Sequence, residues 1–77
     1  MNLDKLREYD EVLNFEVKVE NARDNLDLVD YYNRILSSLL ASKRKDILNE
    51  NKDMILSNIH NLIDTVCKVR KFISEEL

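Results

Sequence analysis

The chain has 77 residues, 12 basic and 15 acidic, with 44% hydrophobic and 35% charged side chains and neither Gly nor Pro. This excludes Gly-rich phosphate loops, collagen-like repeats and Pro-rich linkers, and favours helix throughout. The expectation is a single helical domain over residues 1–77, with no separate linker, at a size where one core is marginal and a partner or a second copy completes the burial.

The charge is uneven: residues 1–33 carry 4 basic and 9 acidic side chains, residues 34–77 carry 8 and 6. That polarity suggests a basic partner for the first segment and argues against general nucleic-acid binding. One cysteine cannot form an internal disulfide. With no secretory leader and no apolar run near the roughly 18 residues needed to span a bilayer, the expected compartment is a reducing cytoplasm and no membrane partner is expected.

In the first segment Asn2 can cap a helix and Asp4 would lie favourably in its first turn. At 100° per residue its apolar side chains fall into two groups. Leu3, Leu6, Leu13 and Val17 cluster on one side with Tyr9 at the edge, while Val12, Phe15 and Val19 lie roughly opposite. The larger group is expected in the chain's own core, leaving Val12, Phe15 and Val19, flanked by Glu8 and Glu11, for a partner, with Phe15 as its anchor. Leu13, Phe15, Val17 and Val19 also alternate with polar residues, the period of a half-buried strand that would have to pair with another molecule.

The polar patch Glu20 to Asn25 follows, where Asn21 or Asn25 can end one helix and Asp24 or Asn25 can cap the next. A middle helix is then expected over Leu26–Leu48, with a broad apolar face that includes Leu28, Tyr32, Ile35, Leu36 and Leu39. It would end near Leu48–Asn51, with Asn49 in a left-handed conformation and Asn51 as a cap. Alternatively, a heptad traced through Val12, Phe15, Val19, Ala22, Leu26, Val29, Asn33, Leu36 and Leu40 runs unbroken across residues 20–25 and gives a two-helix hairpin that must dimerise.

The third helix, Asp53 to about Glu76, has the cleanest pattern. Ile55, Ile59, Leu62, Val66, Val69 and Ile73 follow 4, 3, 4, 3, 4 spacing, widened by Leu56 and Ile63. Folding back sets Arg70 and Lys71 near Asp27 and Asp30. The expected fold is thus all-α, a small antiparallel three-helix bundle, with the dimerising hairpin as the alternative.

Chemistry is sparse. His60 and Cys67 stand seven residues apart, so they lack the i, i+3 or i+4 spacing of a helical metal site, and neither metal nor cofactor is expected. His60 is expected as a surface or half-covered helix residue and Cys67 at the core edge. No nucleophile has a base and an oxyanion stabiliser beside it, so no catalytic residue is assigned and an enzyme is not expected. Lys43, Arg44 and Lys45 are better read as a solvated helix end than as phosphate contacts.

Three stretches, FEVKVEN (Phe15–Asn21), YNRIL (Tyr32–Leu36) and SNIHNL (Ser57–Leu62), in an acidic chain of this size resemble the epsilon antitoxins of epsilon/zeta toxin–antitoxin systems. The resemblance implies a three-helix bundle that binds a zeta toxin, a P-loop kinase acting on a nucleotide-sugar precursor of the cell wall, and obstructs its nucleotide site with the first helix. Glu8 and Glu11 would then face the toxin's phosphate-binding cations, with Leu36 and Leu62 as scaffold. The rival expectation is a homodimeric helical structural or regulatory protein.

Overall fold

The computed structural model describes residues 3–77, with side chains from Lys5 onward. Asn2 as a cap, the Leu3 side chain as core and the Asp4 side chain in the first turn lie outside the described residues. The fold is all-helical: α1 (Leu3–Leu39), α2 (Lys45–Glu50) and α3 (Lys52–Glu76). α1 packs along α3, and the molecule is a rod of 68 × 16 × 15 Å. Its radius of gyration, 19.0 Å, compares with about 11–12 Å for a compact 77-residue domain.

α1 is one uninterrupted helix of 37 residues, so the expected break at residues 20–25 is absent. Asp24 and Asn25 lie in its interior instead of capping anything. The reason is physical: Asn and Asp each cost only about 0.7 kcal/mol relative to Ala in a helix. Against that, Ala22 continues the seam from Val19 to Val29 and is the only buried apolar residue among those described. Tertiary packing at Ala22 outweighs the local preference of its neighbours. The same helix absorbs residues 13–19, which form no strand.

The middle helix expected over Leu26–Leu48 is likewise divided. α1 stops at Leu39 and residues 40–44 are non-helical. The Leu40 and Ala41 amides donate to the Leu36 and Ser38 carbonyls at 2.9 and 3.3 Å, which tightens the last turn. Arg44 is extended and donates its backbone amide to Ser42 Oγ at 3.2 Å. Its guanidinium meets Asp46 in a two-pronged contact, Nε to Oδ1 at 3.2 Å and Nη2 to Oδ2 at 2.7 Å. At so exposed a site that pair is worth under about 1 kcal/mol, yet it ties the turn to the start of α2.

Asn51 interrupts the chain between α2 and α3, as expected for that region, but it makes no side-chain cap bond. Asn49 lies within α2 rather than in a left-handed conformation, and no residue among those described has positive φ. Arg70 and Lys71 form no ion pair with Asp27 or Asp30. The ion pairs among the described residues are Lys18–Glu76 and Arg44–Asp46, and His60 Nε2 lies 3.2 Å from Asp64 Oδ2.

An uninterrupted α1 predicts that Arg23→Pro, an exposed substitution, costs about 3 kcal/mol with a marked loss of helical circular dichroism, because proline sits badly in a helix interior. A near-neutral effect in chemical denaturation would show a linker at residues 20–25 instead.

Candidate interaction surface

The seam between α1 and α3 defines which surfaces remain free. On α3 the half-buried or buried positions are Ile55, Asn58, Asn61, Leu62, Thr65, Val69 and Phe72, and all but Asn61 follow spacings of 3, 4, 3, 4 and 3. Ile55, Leu62 and Val69 are where the sequence pattern puts them. The second row is displaced by one residue, from Ile59, Val66 and Ile73 to Asn58, Thr65 and Phe72. Thr65, at 6% exposure the most enclosed side chain described, donates its hydroxyl to the Asn61 carbonyl at 2.7 Å and so carries no unmet polar group into the seam. Asn58 does the same to the Met54 carbonyl at 2.8 Å.

On α1 the seam runs through Val19, Ala22, Val29, Tyr32, Leu36 and Leu39. Tyr32 is half-buried, with exposed Tyr31 edge-on to it at 5.7 Å. Phe15 closes the seam, its ring 6.1 Å from that of Phe72. Lys18 Nζ reaches Glu76 Oε1 at 2.6 Å, so α3 ends level with the Phe15–Lys18 turn. Residues 3–14 of α1 project beyond it by about 18 Å at 1.5 Å per residue.

These positions correct the division of the first segment between core and partner. Phe15 and Val19 face α3, while Leu6, Leu13 and Val17, assigned to the chain's own core, are exposed. Val12 is open, and Glu8 and Glu11 lie on the projecting segment in line with the seam. Stepping back from Val12 by four and then three residues reaches Glu8 and Lys5. The seam positions turn from apolar to charged where α3 runs out. Cys67, expected at the core edge, is exposed, and so is His60, which faces Asp64 at 3.2 Å.

The two sides of the hairpin differ. One is polar, its groove lined by Lys18, Asn21, Asn25, Lys68, Lys71 and Glu75 beside Phe72. The other is mainly apolar, a groove between Leu26 and Val29 of α1 and Val66, Val69 and Ile73 of α3, lined also by Arg70 and Ser74. The displaced row, Ile59, Val66 and Ile73, continues this apolar side, and Leu26 and Ile73 keep 51% and 52% of their surface. Fully burying such a side chain is worth about 1.5–3 kcal/mol, so each leaves roughly half of that unrealised.

The total surface tells the same story. The chain exposes 6669 Å², against about 4,900 Å² for a compact monomer of 9.1 kDa. No large side chain is fully buried among the described residues. Those residues hold no group of three or more side chains able to hold a metal ion, and no helix long and apolar enough to cross a membrane.

The chain matches no family model, no curated protein and no solved structure.

Because Phe15 belongs to the seam, Phe15→Ala is expected to cost about 2 kcal/mol of hairpin stability, less than the 3–5 kcal/mol typical of a fully buried Phe since this ring is 38% exposed. A double-mutant cycle with Phe72→Ala should return a coupling of about 0.5–1.5 kcal/mol in urea denaturation, and zero coupling would place the two rings in separate environments.

Proposed function

We propose that this chain is a non-catalytic protein-interaction module, a helical hairpin whose bundle is completed only when another polypeptide covers its apolar side. The observation that carries this reading is the open row Ile59, Val66 and Ile73 beside Leu26, on a chain with almost no enclosed side chains of its own. Hydrophobic burial is the main favourable term in folding, and two helices touching along one seam realise only part of it. The acid of the projecting segment supports a role in protein binding rather than nucleic-acid binding. The lone, exposed Cys67 suits a reducing compartment such as the cytoplasm.

A second reading, an antitoxin of the epsilon type, is favoured by one feature. The projecting part of α1 presents Glu8 and Glu11 on an unsupported helix, a shape suited to entering a basic, phosphate-binding cleft of a P-loop kinase toxin. A P-loop kinase encoded beside this gene, whose activity the chain abolishes on mixing, would support it.

The interaction reading predicts that the melting temperature of the isolated chain rises measurably over a hundredfold increase in concentration, or on adding its partner, since whatever binds only the folded state stabilises it by about 2.7 kcal/mol at a hundred times the dissociation constant. A concentration-independent, cooperative transition with no stabilising partner would contradict it.

A further inference from the structure

The open apolar side has an internal symmetry. Along α1 and into the turn after it, the exposed apolar residues Val12, Leu26 and Leu40 stand fourteen residues apart, centred on Leu26. On α3 it follows Ile59, Val66 and Ile73, at intervals of seven and centred on Val66. Leu26 and Val66 line the same groove, so the two stripes have neighbouring midpoints. A surface with that property matches itself when turned end for end.

We infer that the occupant of this side is a second copy of the chain, stacked antiparallel about a two-fold axis passing by Leu26 and Val66, to give a four-helix bundle. This rests on the interaction reading above and names its partner. In an isologous contact each residue meets the symmetry-related one. Leu26 and Val66 face their own counterparts, Val12 faces Leu40 of the other copy, and Ile59 faces Ile73. α1 lies along α1 and α3 along α3, each pair antiparallel, and the seven-residue spacing is the repeat that keeps such helices in register.

Charge selects this orientation over the parallel one. Residues 3–14 carry four acidic and two basic side chains, whereas residues 40–52, at the opposite end of the rod, carry four basic and two acidic. End-for-end stacking about Leu26 lays the projecting acidic segment of one copy over the basic turn at Lys43, Arg44 and Lys45 of the other. Parallel stacking would set like charges together at both ends. The area agrees as well. The surface in excess of a compact monomer, about 1,800 Å² per chain, exceeds the roughly 800 Å² per partner of a standard stable interface.

The test uses the full chain with Cys67→Ser, so that single cysteines can be introduced. Leu26→Cys is expected to form an intermolecular disulfide on mild oxidation, because the two copies meet there, whereas Asn21→Cys on the polar side stays reduced. As a second measurement that does not disturb the centre, Lys43→Glu with Lys45→Glu should weaken dimerisation about tenfold at low salt, and adding Glu8→Lys with Glu11→Lys should restore most of the loss. A dimer that links through Asn21→Cys and not Leu26→Cys, or that ignores the charge reversal, overturns the assigned face or orientation while leaving the interaction reading intact. A monomer stabilised only by a different protein overturns the second copy as occupant. A monomer that unfolds cooperatively with no partner overturns both readings.

Discussion

A helix touched along one seam has one side covered, and the apolar arcs of α1 and α3 are wider than a single seam. On α3 the column Ile55, Leu62 and Val69 is central, with apolar or seam-forming residues on both flanks. α1 takes the flank of Asn58, Thr65 and Phe72 and leaves that of Ile59, Val66 and Ile73. The elongated shape and the large exposed area follow from this. So does the lack of enclosed large side chains: with two elements there is no third layer to close the core.

The helical nature of the chain was legible, since without Gly or Pro and with apolar residues at 3 and 4 spacing nothing competes with helix over most of its length. The unbroken α1 was legible only as an alternative. The composition of residues 20–25 favours a cap, and the heptad position of Ala22 favours continuity; local sequence does not rank about 0.7 kcal/mol per Asn against tertiary contact. The phase of α3 is hidden in the sequence for a related reason. Ile59, Val66 and Ile73 are more hydrophobic than Asn58, Thr65 and Phe72, yet the seam takes the latter row, in which Thr65 is small enough to be enclosed and satisfies its own hydroxyl. Hydrophobicity marks what should be buried without saying which molecule buries it.

The first segment carries the same lesson. Leu6 and Leu13 read as core because leucines outnumber the opposite stripe, but their burial depended on α3 reaching them, and it ends level with Lys18. The one signal that could have located that end is the change of the seam from Phe15 and Val12 to Glu8 and Lys5. Charged seam positions need a partner of complementary charge or water, so the projecting helix is suited to recognition more than to folding. In the proposed dimer the open apolar side supplies adhesion and the acidic projection supplies orientation.

Small-angle X-ray scattering at tens of micromolar tests the central claim most directly, because it reports mass and shape together. Covering of the open side by a second, fully overlapping copy predicts about twice the 9.1 kDa chain mass with a longest dimension still near 68 Å. A particle of 9.1 kDa with a radius of gyration near the 11–12 Å of a compact domain would contradict it, since the chain would then have closed its core alone.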